Sequence, residues 1–196
     1  MNQYLKGGFA GGNRNISEIV KSIEKNAKTT KIKSSMKINF REIIFETMTD
    51  GPGLRTAIYC QGCGHHCPGC HNPETWDFGP VDVEGHDVEE IFDIILSDVF
   101  SDVTFTGGDP LYQVEAFTEL AKMIKNKTNK TIWCYTGFTY EEIKESPEMR
   151  QILPFLDVLV DGPFILSQRD TDLKFRGSRN QRIIHLKDGE IDYIED

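Results

Sequence analysis

Residues 56–70, TAIYCQGCGHHCPGC, join a short apolar run directly to a loop that carries three cysteines. The run 56–60 is typical of a buried strand, because it is apolar and bounded by glycine-rich segments. The loop that follows is rich in glycine, histidine and proline, which are poor core-forming residues. The sequence therefore predicts a chemically specialised loop at the end of a strand.

Strands and helices are predicted to alternate along the chain from residue 36 onward. Strands are expected at 56–60, 103–106, 131–135 and 156–160, and helices at 87–96, from 114 and from 139. This alternation predicts an α/β fold with a mostly parallel sheet. Ligands of such sheets bind at the carboxyl ends of the strands. The segments that follow the four strands there are the cysteine loop, Gly107-Gly108-Asp109, Thr136-Gly137 and Asp161-Gly162-Pro163.

Cys63, Cys67 and Cys70 have the spacing C-x3-C-x2-C, and the chain has five cysteines in all. An odd number of cysteines with three in one loop favours a metal or redox site over a disulfide framework. A structural zinc ion would need a fourth ligand, for which His65, His66 and His71 are candidates. An iron-sulfur cluster held by three cysteines would keep one iron open to an outside ligand. The spacing favours the cluster and leaves the zinc site as the alternative.

The composition and charge restrict the choice of partners. The 196 residues suffice for one sizeable domain, with 38% hydrophobic and 27% charged residues and a net charge of -9. Such an acidic chain, without a cluster of basic and aromatic residues, is not expected to bind nucleic acid. Neither a membrane-spanning run nor the apolar core of a secretory signal is found in the sequence, which predicts a protein of the cytoplasm.

The motifs around the cysteines resemble those of one enzyme family. The C-x3-C-x2-C element is similar to the signature of radical S-adenosylmethionine enzymes. Over residues 38–187 the chain resembles, more narrowly, the activating proteins of anaerobic (class III) ribonucleotide reductase. The resemblance rests on GPGLR (51–55), GCGHHCPGCHNPETW (62–76), TFTGGDPL (104–111), WCYTGF (133–138), DVLVDGPF (157–164) and FRGSRNQR (175–182).

The resemblance implies a partial, open (β/α) barrel and a set of site residues. Cys63, Cys67 and Cys70 would bind one 4Fe-4S cluster, with S-adenosylmethionine on its open iron. The cofactor would contact Gly69, Cys70, His71, Gly107, Gly108 and Asp109, and no catalytic residue is expected beyond the cluster and cofactor. The 5′-deoxyadenosyl radical formed by reductive cleavage would generate a glycyl radical on the large subunit of the reductase.

The family resemblance also implies partners. A low-potential electron donor such as flavodoxin is expected, together with a homodimer or a heterotetramer with the reductase. The nearest alternative function is activation of another glycyl-radical enzyme such as pyruvate formate-lyase. A non-catalytic zinc-binding module is the alternative from a different class.

Several other residues carry further predictions. Cys60 and Cys134 are expected to pack in the core, and Trp133 and Tyr135 on opposite faces of one strand. For His65 and Asp161 the sequence does not decide between a role in the functional site and an ordinary role in a loop or turn. The segment 176–182, with its three arginines, is either part of the site or partner surface or a hairpin with solvated arginines.

The first 35 residues differ from the rest and lie outside the resemblance. They are predicted to be an appendage, glycine-rich at the start, with a short amphipathic helix carrying Ile16, Ile19, Val20 and Ile23. The domain prediction is therefore an appendage at 1–35 and a radical S-adenosylmethionine domain at 36–196.

Overall fold

A mixed sheet of seven strands is the centre of the computed structural model, which describes residues 36–79 and 85–195. The predicted appendage at 1–35 lies outside the described residues. The strands are β1 (Lys37–Ile38), β2 (Phe40–Thr47), β3 (Arg55–Cys60), β4 (His86–Asp87), β5 (Asp102–Gly107), β6 (Ile132–Tyr135), β7 (Val158–Asp161), β8 (Arg182–Lys187) and β9 (Glu190–Ile194). The helices are α1 (Val88–Ser97), α2 (Val114–Lys127) and α3 (Tyr140–Glu145).

The seven strands lie in the order β2-β3-β5-β6-β7-β8-β9, and β1 pairs separately with β4. The central strands β3, β5, β6 and β7 run parallel to one another. The outer pairs β2–β3, β7–β8 and β8–β9 are antiparallel. The predicted α/β class is confirmed. The prediction of a mostly parallel sheet is wrong, because antiparallel strands flank the parallel centre.

Strand β9 is added to the sheet by a short connection from β8. Antiparallel neighbours need only a tight turn, whereas parallel neighbours need a crossover segment. Strands β8 and β9 are joined at Asp188-Gly189, where both residues have positive φ, +55° and +81°. This is the Asp-Gly pattern of a type I′ hairpin turn, which the sequence contained.

The helices cover one face of the sheet and build the main core with it. Ile58, Phe105 and Cys134 come from adjacent strands and are fully buried beside the apolar sides of α1 and α2. Cys60 is also fully buried, so the core interpretation of Cys60 and Cys134 is confirmed. Helix α3 begins with the predicted capping box of Thr139 and Glu142. Among the described residues, no helix is long and apolar enough to cross a membrane.

The opposite face of the sheet carries a second, smaller cluster of buried residues. It consists of Trp133, Val158, Val160 and Ile183, with Tyr135 and Phe175 packed against it. Trp133 and Tyr135 therefore lie on the same face of β6, and the prediction of opposite faces was wrong. Residues two apart in a strand point to one side, since side chains alternate with period two.

Candidate functional site

The cysteine loop begins where β3 ends, as the sequence predicted. Its base is closed by two backbone hydrogen bonds, from Gly62 N to the Thr75 carbonyl (2.7 Å) and from Cys63 N to the Trp76 carbonyl (3.2 Å). Cys63 is buried, whereas Cys67 and Cys70 are partly exposed, and all three thiols are free. The loop therefore presents reduced sulfur atoms near the carboxyl end of the sheet.

Residues 67–70, CPGC, form a β-turn. The Cys70 amide donates to the Cys67 carbonyl at 3.0 Å, and Gly69 has φ +76°. Proline at the second position and a positive φ at the third are the signature of a type II turn. The turn accounts for glycine at position 69, because other residues are strained at this φ.

One backbone amide of the loop donates to a cysteine sulfur, because the Asn72 amide lies 3.4 Å from Cys70 Sγ. Burial raises the pKa of Cys63 to about 11, and the His65 backbone lowers it by a smaller amount. Metal coordination deprotonates a thiol, and the Asn72 amide would then stabilise the Cys70 thiolate.

The chemistry of these donors fits an iron-sulfur cluster. Cysteine thiolates are the usual ligands of such clusters, and each thiolate binds a different iron. Among the described residues, no three His, Cys, Asp or Glu side chains are placed to hold a single metal ion. Thiolates that bind separate irons do not have to converge on one point. The fit of a cluster is therefore judged from the chemistry of the three cysteines and of the loop that carries them.

The Gly107-Gly108-Asp109 segment packs tightly against the start of the cysteine loop. Gly107 has φ +99°, and a Cβ there would lie 2.5 Å from the Cys60 backbone nitrogen. A Cβ on Gly108 would lie 2.5 Å from the Gly62 carbonyl oxygen. The glycines therefore allow two backbone segments to approach each other, a role that differs from the expected approach of a ligand.

The Asp109 carboxylate accepts hydrogen bonds from protein groups on three sides and is 1% exposed. Its Oδ1 accepts from the Leu111 amide at 2.9 Å. Its Oδ2 accepts from His65 Nε2 at 2.8 Å, Thr136 Oγ1 at 2.8 Å and the Gly137 amide at 2.9 Å. The carboxylate thus joins the cysteine loop to the segment after β6, and His65 is held within the structure.

A cavity of about 440 Å³ opens at the carboxyl ends of β3, β5 and β6. This volume is within the range of small-molecule sites, about 300–1,000 Å³. Of the site residues that the sequence predicted, Cys70 and His71 line the cavity, and the other lining residues are Thr49, Asp50, Tyr59, Asn72, Thr106, Tyr135, Phe164, Phe175, Arg176, Gly177 and Gln181.

Sequence reasoning missed the polar residues on the inner face of the strands. Tyr59 and Thr106 are paired across β3 and β5, and Tyr135 lies near the end of β6. The period-two alternation of each strand was the available signal, because it separates these residues from the core residues Ile58 and Cys134.

Tyr59 and Tyr135 have different hydrogen bonding in the cavity. The Tyr59 hydroxyl donates to Asp50 Oδ1 at 2.7 Å. The buried hydroxyl oxygen of Tyr135 has no hydrogen-bond partner among the described residues. Burial is the largest cause that raises the pKa of both tyrosines, so both hydroxyls are neutral donors near neutral pH.

Two residues that the sequence left open have structural roles. Asp161 is 1% exposed and accepts from the Tyr140 amide at 2.8 Å and from Arg182 Nε at 3.0 Å. Arg182 also pairs with Glu141, so this ion pair joins β7, β8 and α3. Within the segment 176–182, Arg176 lines the cavity and Arg179 forms an exposed ion pair with Asp170.

Comparison with known proteins gives the family. The family described as a 4Fe-4S single cluster domain matches residues 49–184, which include all three loop cysteines. An anaerobic ribonucleoside-triphosphate reductase-activating protein of Vibrio cholerae is 35% identical over 76% of this chain and 97% of its own length. Relatives of the same name in Escherichia coli K12 and Enterobacteria phage T4 are 31% and 32% identical, over 76% and 78% of this chain and 100% and 97% of their own lengths.

The solved structure of QueE from Escherichia coli aligns with 53% of each chain at 18% identity, with a TM-score of 0.42. The activating proteins named above are more similar to this chain in sequence than QueE is, and they match it over nearly their whole lengths. The chain therefore belongs to the family of anaerobic ribonucleoside-triphosphate reductase-activating proteins, and it carries a 4Fe-4S single cluster domain.

Proposed function

We propose that this chain is an enzyme that activates an anaerobic ribonucleotide reductase, with Cys63, Cys67 and Cys70 as ligands of one 4Fe-4S cluster. When bound, the cluster, reduced by an outside electron donor, and S-adenosylmethionine would supply the radical chemistry that converts a reductase glycine to a glycyl radical. The relatives' names support the reductase as the target.

The observation that carries the proposal is the position of the cavity relative to the cysteine loop. The cavity is bordered by Cys70 and His71 and lies at the carboxyl ends of three parallel strands. A ligand there would lie beside one of the cluster cysteines and against the inner face of the sheet. Both reactants can then be held at one place, which is the main contribution of a protein to cofactor chemistry.

The charged lining suits a ligand that carries both signs of charge. Asp50 supplies a carboxylate, which Tyr59 and Thr47 hold by hydrogen bonds of 2.7 Å each. Arg176 supplies a guanidinium, which the Gln181 carbonyl oxygen holds at 3.2 Å. S-adenosylmethionine has an ammonium group, a sulfonium group and a carboxylate, so it can use both residues.

The Tyr135 hydroxyl is available to orient a ligand. It is buried and unpartnered among the described residues, and an unsatisfied buried hydroxyl costs about 1–3 kcal/mol. A polar ligand atom at this place would recover that free energy. We infer that Tyr135 donates to the bound cofactor or to the peptide substrate.

Aromatic residues on the far side of the cavity can exclude water. Phe175 packs edge-on against Trp133, with ring centroids 5.7 Å apart, and Phe164 lies near His71 at 5.9 Å. Both phenylalanines line the cavity. An apolar wall protects a reactive radical from side reactions with solvent.

The further cofactor contacts follow from the loops that approach the cysteines. We propose Gly69, Cys70, His71, Gly107 and Gly108 as cofactor contacts. We also propose that Asp109 acts on the cofactor ammonium through its negative charge, since its hydrogen bonds go to protein groups.

The larger organisation is part of the same proposal. Residues 36–196 would form the radical S-adenosylmethionine domain, and residues 1–35 an appendage. The sheet would be the wall of a partial, open barrel, with helices outside and the cavity inside. The proposed partners are a low-potential donor such as flavodoxin and the reductase, in a homodimer or a heterotetramer. We propose the cytoplasm as the location of the reaction, because thiols stay reduced there.

Anaerobic reconstitution of the full chain with iron and sulfide tests the function. Dithionite and S-adenosylmethionine are then added, and 5′-deoxyadenosine is measured. We expect its formation in the parent protein and its loss in Cys67→Ala, because one ligand of the cluster is removed. Cys60→Ala is the matched control, since Cys60 is a core thiol, and it should retain cleavage.

The outcomes separate the candidate functions. Normal cleavage by Cys67→Ala would contradict the assignment of the cluster ligands. A folded parent protein that binds stoichiometric zinc and makes no 5′-deoxyadenosine would contradict the enzyme function. Glycyl radical formation on the reductase, measured by electron paramagnetic resonance, tests the choice of partner.

A further inference from the structure

We propose that residues 16–25 dock on an exposed apolar surface of the same chain, formed by Leu96, Val99 and Phe100 and termed the Phe100 surface. The proposal is independent of the proposed function, because this surface lies away from the cysteine loop and its cavity. It gives the segment that precedes residue 36 a defined binding site.

The first argument is the exposure of large apolar side chains in one place. Leu96 lies in the last turn of α1, and Val99 and Phe100 lie between α1 and β5. Val99 is 77% exposed and Phe100 is 86% exposed. All three side chains line one cavity of about 400 Å³, so they form a continuous surface. Exposed apolar surface that is continuous marks a site of interaction.

The turn that carries Phe100 is held by hydrogen bonds. Asp98 Oδ1 accepts from the Phe100 amide at 3.3 Å and from the Ser101 amide at 3.2 Å. Lys130 Nζ donates to the Asp98 carbonyl at 2.7 Å and also to the Ser101 carbonyl. Because these bonds fix the backbone of the turn, the Phe100 ring has a defined place on the surface of the protein.

The segment 16–25 carries a matching apolar stripe. Ile16, Ile19, Val20 and Ile23 have the spacing i, i+3, i+4 and i+7, which places them on one side of the predicted helix. Helices that bind in apolar grooves use anchors at these positions. Isolated helices shorter than about 12 residues are marginal in water, so this helix needs a surface on which to pack.

The chain enters the described structure at a point from which the segment can reach the Phe100 surface. The Val88 amide donates to the Met36 carbonyl at 3.2 Å, so residue 36 lies at the start of α1. Helix α1 has 10 residues and is therefore about 15 Å long. The 13 residues from Ile23 to Met36 can span about 40 Å. They can therefore run along α1 to its last turn.

The distribution of charge favours the same path. Residues 1–35 carry seven Lys or Arg and two Glu, a net charge of +5; the whole chain carries -9, so the remaining residues carry -14. Three lysines lie between residues 28 and 33, which join the predicted helix to residue 36. Glu89 and Asp93 lie on the same side of α1 as Leu96, because their spacing is i, i+4 and i+7. Opposite charges therefore attract the basic connection to α1.

The position of the Phe100 surface favours the chain's own segment over other occupants. A reductase that receives the radical must reach the cavity at the carboxyl ends of the strands, whereas Phe100 precedes the amino end of β5. A segment attached by a short connection has an effective concentration of about 1 mM or more. A separate partner or a second copy would have to exceed that concentration to compete.

A double-mutant cycle in the full-length reduced apoprotein tests the contact by urea unfolding. Phe100→Ser removes the anchor on the surface, and Ile19→Ser removes an anchor on the segment. Each change should raise the equilibrium constant for unfolding about tenfold, because apolar area that docking buries is returned to water. The double variant should also show about a tenfold increase, since either change alone abolishes the contact.

Ile194→Ser is the matched control. Ile194 is likewise exposed, at 42%, but lies in β9 at the far edge of the sheet. Its effect and that of Ile19→Ser should multiply, as for independent sites. Multiplying effects of Phe100→Ser and Ile19→Ser, or an unchanged stability in Phe100→Ser, would overturn the proposal. If Phe100→Ser does not fold, Val99→Ser takes its place in the cycle.

Limited proteolysis of the same proteins with trypsin gives an independent measurement. Cleavage after Lys21, inside the docked helix, should be about tenfold faster in Phe100→Ser than in the parent protein, because cleavage follows the undocked population. Cleavage after Lys6, outside residues 16–25, should be equal in both. Equal rates after Lys21 would overturn the proposal.

Two further measurements separate the other occupants and the proposed function. A change of oligomeric state, or weaker binding of the reductase, in Phe100→Ser but not in Ile19→Ser would assign the surface to a second copy or to the reductase and overturn the proposal. Cleavage of S-adenosylmethionine should be equal in the parent protein and both variants. Absence of cleavage in the parent protein would contradict the proposed function, and the unfolding cycle would still test the docking.

Discussion

Replacement of Gly108 by alanine should destabilise the protein even when no cofactor is bound. The φ of Gly108 lies outside the left-handed region, so the change adds steric conflict without backbone strain. The new Cβ would lie 2.5 Å from the Gly62 carbonyl oxygen and 3.1 Å from the Cys60 carbonyl oxygen. Both neighbours are backbone atoms, which cannot move aside as a flexible side chain can.

The magnitude follows from the displacement that is needed. Cβ contacts under 3.0 Å are essentially never found, so the two segments must separate by about 0.5 Å or more. The separation weakens the hydrogen bonds from Gly108 N to Cys60 O (2.8 Å) and from Asp109 N to Gly62 O (3.0 Å). At about 0.5–1.5 kcal/mol each, their loss lowers the free energy of unfolding by about 1–3 kcal/mol.

Thermal unfolding of the reduced apoprotein measures this effect. For a chain of this length, 1 kcal/mol shifts Tm by about 2–4 °C, so we expect a decrease of about 2–12 °C. Gly79→Ala is the control, because its Cβ would meet only the flexible Asp77 side chain. A Gly108→Ala apoprotein with the parent Tm would refute the reasoning, and glycine would then be needed only for the approach of a ligand.

Two further predictions concern acid stability and the N-terminal segment. Burial raises the pKa of Asp98, but hydrogen bonds from Ser101, Thr56 and the backbone outweigh it and lower the pKa below 3.8. The stabilisation is therefore present above pH 3.8 and is lost as the pH falls through the lowered pKa. Thr56→Val, which removes a 2.9 Å hydrogen bond to Asp98, should cost about 1.5–3 kcal/mol at pH 7 and less in acid. Urea unfolding at several pH values tests this, and an equal cost at all pH values would contradict it. Deletion of residues 1–35 should leave cleavage of S-adenosylmethionine unchanged, and loss of cleavage with an intact cluster would show that the segment is needed.

Local patterns in the sequence were sufficient for the central part of the fold. The apolar period of 3.6 residues placed α1 and α2, and Thr139 with Glu142 placed the start of α3. The cysteine loop was recognised from its spacing, and its Pro68-Gly69 turn depends on residues within four positions of one another. Such features can be predicted because their energetics depend on near neighbours.

The outer strands show a limit of this approach. Strands β2, β8 and β9 were not predicted, although Asp188-Gly189 is a hairpin signal. Edge strands depend on the neighbours to which they bond, and no local period distinguishes them clearly. The period-two alternation of side chains along β6 places Tyr135 on the same face as Trp133. The sequence prediction assigned the two residues to opposite faces, which was wrong.

The sequence was enough to place the three cysteines, the parallel centre and the glycine-rich loops at one edge of a sheet, because short-range preferences govern each of them. Tertiary structure was needed to show that Asp109 holds His65, 44 residues away, and Thr136, 27 residues away. It also brought Asp50, Tyr135 and Arg176 around one cavity. These contacts join distant segments, whose meeting depends on the register of strands and the packing of the whole sheet.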